Sequence, residues 1–550
     1  MNILVTKRAL VNALLVGICL LRPFACQGEN VLLIQPNIPW SVTGKDDIQQ
    51  LKRLASGVGW EFEPNAETTA GLRRIGIKTI RCINVDPLPG KFDKAGKFVI
   101  SDEPNRLLQH LQTCREIGAD PHVVVATGLH PDLRVTEEDI PASKRGLLGN
   151  QTKTAVFGPK DWGKFQHYCE AYFEYVLITH KFPQAVFEVA NEPDIGGAMY
   201  PMPPKPAMGS RALYDGYFEL YTNVATAAQR FEAEHPGVKV QLSGPGGAWA
   251  YSFRFGDFNW AERFLADCHR DHVKLDSIGL HFYGNCSSID GDYAGVFPAF
   301  TEMLHSTKSA RDRYCPNVPI RITEWGASYQ VDNSPPARIN GNHIGAAWSA
   351  AFLNTMLNSG VDAALYLVTT DHQQQGANGA WENVWGWPSL FVNPVVFGGH
   401  AYPKAPYHVF DMVARLAGTR IEATRGEKTV NCIASVDAQD KRITVLVWNH
   451  AYQIPEKPVG TENAQREAVT LRIREAERFF GGQKVTMERW LVSETVSNAE
   501  YLFTKEGKID DRCRLQRVDQ GAYSVVDGLV DIGFAMPPSS VSLVVLTAAK

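Results

Sequence analysis

The sequence predicts an α/β protein, a (β/α)8 TIM barrel with an appended C-terminal β-sandwich. From about residue 55 to about 410, short β-branched or aliphatic runs alternate with longer amphipathic stretches, the pattern that builds a parallel sheet with crossover helices. Eight such runs occur, the number that closes this kind of barrel. After about residue 411 the helical period gives way to strand-like runs separated by turn residues, as in a sandwich.

The eight runs are Gly57–Phe62, Ile77–Val85, His122–Thr127, Ala185–Ala190, Val238–Ser243, Ser277–Phe282, Ile320–Glu324 and Ala363–Val368. Between them, Asn105–Ile117, Trp162–His180, Tyr214–Glu234, Trp260–Arg270, Ala299–Asp312 and Gly345–Ser359 carry apolar residues at three- and four-residue intervals, which predicts helices. The alternative, an open doubly wound sheet, would place a Gly-rich phosphate loop after its first strand, and none stands there. In the C-terminal part the expected strands are Thr429–Ser435, Arg442–Trp448, Ala468–Ile473, Val485–Val492 and Ser540–Leu546. Val31–Ile34, with no helix directly behind it, is expected to add a strand to the sandwich. The expected units are thus a signal at 1–28, an N-terminal segment at 29–54, the barrel at 55–412 and the sandwich at 413–550.

The signal reading rests on Lys7 and Arg8 ahead of the apolar run Ala9–Leu21, followed by a Pro23–Gly28 exit. That run has 13 residues, too few to span a bilayer. A secreted or periplasmic protein is expected, and Cys26 is a poor lipidation site because Pro23 and Phe24 precede it. With 55 basic and 59 acidic residues, nothing supplies the basic footprint of a nucleic-acid or anionic-membrane binder. A neutral polar partner such as a carbohydrate fits this balance. The ten cysteines include no Cys-x-x-Cys pair and no zinc-site spacing, so neither metal nor cofactor is expected, and no bridge is assigned.

In a barrel the reactive side chains stand at the carboxyl ends of the strands. The fourth run ends in Asn191-Glu192-Pro193 and the seventh in Glu324-Trp325-Gly326, which sets two carboxylates facing one another across one mouth. Such a pair suits glycoside cleavage with retention, in which one carboxyl protonates the leaving oxygen while the other attacks the anomeric carbon.

These motifs resemble those of clan A, the large group of retaining (β/α)8 glycoside hydrolases whose two glutamates end strands four and seven. The resemblance implies that Glu192 is the acid/base, Glu324 the nucleophile, and Asn191 a contact to the substrate 2-hydroxyl. Gly76-Ile77-Lys78-Thr79-Ile80-Arg81 is similar to the clan's second strand, which makes Arg81 a support for the nucleophile. Leu280-His281-Phe282-Tyr283 is similar to its sixth, which puts His281 and Tyr283 in the sugar site. Within the clan the chain resembles family 39, the β-xylosidase and α-L-iduronidase group, through Trp385–Phe391, Tyr402–Phe410 and the closing stretch Met536–Leu546. It departs where Gly326 replaces the Asn that family members often carry, and where Ala405-Pro406 reverses their order.

His130, after the third strand, and Trp385, in a loop that also holds Trp381 and Trp387, are further candidates for substrate contact. Aromatic faces stack on sugar rings, although core packing is the competing reading for each tryptophan and for Trp60. The loop Tyr329–Asn342 and the tryptophan loop are the expected determinants of sugar and linkage. A transglycosylase using the same glutamates, or a non-catalytic carbohydrate-binding surface protein, would share most of these features.

Overall fold

The computed structural model describes residues 30–40, 46–60, 65–136, 138–140, 142, 158–196, 206–248, 259–284, 296–331, 334–371, 374–375, 381–382, 385–424, 429–450 and 466–549. The expected signal at 1–28, with Cys26, lies outside them, as do the side chains of Trp60 and Trp381.

Eight parallel strands close a barrel in chain order: Gly57–Trp60, Thr79–Cys82, Asp120–Val125, Val186–Val189, Gln241–Ala248, Ser277–Tyr283, Ile320–Gly326 and Ala363–Tyr366. Each overlaps an expected run, the fifth by only its first three residues. The seam is closed by Leu365 pairing with Gly57 and Tyr366 with Val58. Glycine is required there, because a Cβ on Gly57 would stand 2.4 Å from the Ala364 carbonyl oxygen and one on Gly59 1.8 Å from that of Leu367. Side-chain caps from Asn105, Asp161, Ser210, Asn259 and Asn342 start five of the surrounding helices, each satisfying an amide that the helix leaves unpaired.

The C-terminal domain is one nine-stranded, mostly antiparallel sheet wrapped round its own core. Its order is Gln516–Ser524, Lys484–Val492, Ser540–Ala548, Arg442–Asn449, Val430–Asp437, Thr419–Ala423, Asn30–Pro39, Glu467–Ile473 and Val530–Met536. The N-terminal strand sits inside this sheet, parallel to Glu467–Ile473 and antiparallel to Thr419–Ala423. Leu32, Val445, Leu471, Ile532 and Val544 fill the enclosed core. Leu446, Trp448, Val541 and Leu543 instead join the barrel's apolar cluster, and their strands lie against the barrel helix His343–Asn358.

Several elements escaped the sequence pattern. The helix Asp47–Leu54 follows the N-terminal strand and buries Ile48, Leu51 and Leu54 in the barrel cluster, so part of the 29–54 segment belongs with the barrel. Gln516–Ser524 is an edge strand without a fully buried residue, and an edge facing water needs no apolar alternation. The seven described cysteines, Cys82, Cys114, Cys169, Cys268, Cys315, Cys432 and Cys513, are free thiols.

Candidate active site

The two glutamates meet at the barrel mouth. After the fourth strand the chain turns with Ala190 and Glu192 in left-handed backbone, at φ +64 and +47, a conformation that side-chain-bearing residues adopt at a cost of about 1–2 kcal/mol each. The Glu192 amide is held by the Gly246 carbonyl at 2.9 Å, and Asp194 Oδ1 accepts the Ala248 amide at 2.9 Å, so the fifth strand fixes the turn. Glu324 lies within the seventh strand and is 8% exposed.

His281, fully buried on the sixth strand, stands between them. Its Nδ1 donates to Glu192 Oε1 at 3.0 Å and lies 2.7 Å from Glu324 Oε2. Only the first contact is directed as a hydrogen bond, so Glu324 Oε2 faces a charge while its lone pair has no directed donor. Burial depresses the imidazolium, yet the charge of Glu324 and the close contacts to both carboxyls outweigh it and raise His281 to about 10. For Glu324, burial favours the neutral carboxyl, but His281, Arg81 and a hydrogen bond from Tyr283 prevail and lower its pKa. The donor atoms of Glu192, His281 and Glu324 lie within 4.8 Å of one another, a trio that would offer a metal three ligands. Spacings of 2.7 and 3.0 Å to one nitrogen are those of a shared proton, since ligands about 2 Å from a tetrahedral zinc stand roughly 3.3 Å apart.

Arg81, 1% exposed, reaches from the second strand beneath this pair. One Nη2 atom bonds Glu188 Oε1 at 2.6 Å and Asn191 Oδ1 at 2.7 Å, while Nη1 faces Glu324 Oε2 at 3.6 Å. Because the arginine takes the oxygen of Asn191, the amide NH2 is turned away from the guanidinium. Tyr283, 6% exposed, packs with Leu367, Val368 and Trp387. The structure thus brings together Arg81, Asn191, Glu192, His281, Tyr283 and Glu324.

Two expected site residues stand apart. His130 is built into a wall: its ring meets Phe92 and Phe98 edge-on and lies 3.2 Å from the Gly90 carbonyl through Nε2. It borders a cavity of about 800 Å³ lined by Asn84, Lys91 and Arg106 among others. Trp385, 4% exposed, is core, packed with Val392, Ala499, Leu502 and Cys513. The helix Ala499–Glu506 that covers it was not foreseen, and burying the indole there is the apolar gain that removes it from a sugar face. Its neighbour Trp387 packs against the cluster of Tyr283, Leu367 and Val368.

Sequence reasoning also passed over Glu188, His122 and the Asp371–Lys404 pair. Glu188 and His122 are fully buried and 2.9 Å apart. The signal for Glu188 was its place inside the apolar run Val186-Phe187-Glu188-Val189, since a buried charge persists only when paired. Lys404 Nζ bonds Asp371 Oδ1 and lies 3.1 Å from the Trp387 carbonyl oxygen, and Asn340 donates to the Gly386 carbonyl at 2.8 Å. Together they hold the 385–387 segment in place.

Residues 179–508 match the profile of Glycosyl hydrolases family 39. The chain belongs to that family. A β-xylosidase of Caldicellulosiruptor saccharolyticus is 25% identical over 287 residues, 50% of each chain, so this chain spans about half the length of the curated relative it matches. Among solved structures, the family 39 enzyme from Xanthomonas axonopodis pv. citri superposes with a TM-score of 0.67 at 17% identity, covering 96% of this chain and 99% of that one. A monomeric β-xylosidase from Caulobacter crescentus CB15 gives 0.67 at 17%, covering 95% and 100%. Both share the fold of this family 39 chain.

Proposed function

We propose that this chain is a secreted, retaining O-glycosidase that cleaves xylosides or related pentosides in poly- or oligosaccharides. The observation that carries the reading is the approach of Glu192 and Glu324 to one nitrogen of His281, at 3.0 and 2.7 Å. Two carboxyls sharing one small space suit attack on a single anomeric carbon, with no gap for the intervening water that inversion needs. The β-xylosidase relative supports the pentoside preference, and the apolar run behind Lys7 and Arg8 supports export.

In this scheme Glu324, kept ionised by His281 and Arg81, attacks the anomeric carbon as Glu192 delivers its proton to the departing oxygen. His281 donates to Glu192 Oε1, which leaves the other carboxyl oxygen to carry that proton. Ester formation then removes the charge of Glu324, Glu192 is left as carboxylate, and it draws a proton from the water that opens the glycosyl-enzyme. Tyr283, bonded to Glu324 in the resting site, releases it as the nucleophile is consumed. The Asn191 amide is placed to donate to the 2-hydroxyl.

The test is a pair of variants on aryl xylosides of graded leaving-group acidity. E324A loses turnover on all of them. E192A keeps turnover on the most acidic leaving groups, and azide restores its rate by trapping the glycosyl-enzyme as a glycosyl azide. Equal losses on every substrate, with no azide product, would refute the assignment.

A further inference from the structure

Resting on the reading of Glu324 as nucleophile, we infer that Glu188 is a positioning residue: it anchors Arg81 and keeps the guanidinium from closing on the nucleophile. The geometry is a competition between two carboxylates for one cation. Arg81 sits 2.6 Å from Glu188 Oε1 but 3.6 Å from Glu324 Oε2. The first is a charge-assisted hydrogen bond and the second only a Coulombic contact. Glu324 therefore receives the field of the arginine without accepting a hydrogen bond from it.

The barrel is shaped to keep Glu188 where it is. A Cβ on Gly246, which has φ +61, would lie 3.1 Å from Glu188 Oε1, and one on Gly279 would lie 3.4 Å from Oε2. Two glycines on the neighbouring fifth and sixth strands thus leave the volume that the carboxylate fills. His122, on the third strand, fixes the second oxygen at 2.9 Å; burial holds this histidine below its ordinary pKa, so it donates as a neutral ring. Burial alone would protonate Glu188, but Arg81, His122 and His281 keep it ionised far below the usual carboxylate range. The groups facing this cluster are Arg81, His122, Glu192, His281, Tyr283 and Glu324, with Arg321 and Tyr217 farther off.

The chemical consequence is a division of charge. Removal of the negative charge at 188 leaves the guanidinium one carboxylate to pair with, so it closes on Glu324. A tighter ion pair stabilises the ionised nucleophile, which makes it both more acidic and less reactive toward carbon.

The experiment compares E188Q and E188D with the parent protein by the pH dependence of kcat/KM on an activated aryl xyloside. E188Q should move the acid limb downward by on the order of one pH unit and lower kcat more than it raises KM. E188D, which keeps the charge but retreats by one methylene, should shift it in the same direction by less. An acid limb that stays in place while kcat falls would mean only structural support and overturn the inference. If E188Q does not fold, the E188D shift carries the test, and failure of both to fold assigns Glu188 to barrel stability and overturns it as well. E324A separates the two levels: turnover surviving in E324A refutes the nucleophile, whereas a dead E324A beside an unmoved E188Q limb refutes only the role of Glu188.

Discussion

Replacing Lys404 by Met probes the buried anchor beside the site. The side chains of Lys404 and Asp371 are 0% and 1% exposed. Burial pushes Asp371 up to about 6 against the attraction of Lys404 and the hydrogen bonds from Lys404 and Ser389. Met keeps the volume but leaves the carboxylate with the Ser389 hydroxyl, 2.7 Å away, as its side-chain donor. Removing one partner of a buried pair costs about 3–5 kcal/mol. The carboxyl limits the loss by binding a proton, so its folded pKa rises further while the unfolded value stays near 3.8.

A folded value above the unfolded one means a contribution that is complete below the unfolded pKa and is lost as pH rises toward the folded one. The loss is about 1.4 kcal/mol per pH unit across that window. In the parent it ends at about 6; in K404M it continues upward. Thermal midpoints should therefore differ least near about pH 5 and diverge steadily toward about pH 8. The double variant K404M/D371L, which removes both charges, should recover much of the deficit. A gap that does not change with pH, or a double variant less stable than K404M, would refute the reasoning.

A Cβ at Gly326 would stand 2.6 Å from Pro388 Cβ and 3.3 Å from Tyr283 Cε1, so G326A should cost about 1–3 kcal/mol and lower kcat by displacing Tyr283. Unchanged melting and turnover would contradict this crowding. Because the Glu324 pKa is lowered from 4.5 and the nucleophile must be ionised, the acid limb of kcat/KM should fall below that value, as a pH profile on an aryl xyloside would reveal; a limb above it would contradict the role of His281 and Arg81. Deleting residues 30–39 removes an interior strand paired on both sides, so soluble yield should collapse, and a soluble, cooperatively melting product would argue against that dependence.

The sequence by itself determined the eight barrel strands, most crossover helices, most of the sandwich strands and the two glutamates, because periodicity and strand-end position are local properties. Ile320–Glu324 reads as an apolar strand ending in a carboxylate whatever surrounds it. Gln516–Ser524 does not read as a strand, since its alternation buries nothing completely. What only the tertiary structure decided were the pairings across the barrel. Arg81 meets Glu188 across 107 residues and His281 across 200, contacts set by strand register and barrel closure. The same held for the aromatic residues. Trp385 is core and Trp387 packs against the cluster that holds Tyr283 because a helix from the C-terminal domain covers one face of their loop and Lys404 grips its carbonyls. A side chain's exposure is settled by which distant surface arrives to cover it, and local sequence carries no record of that arrival.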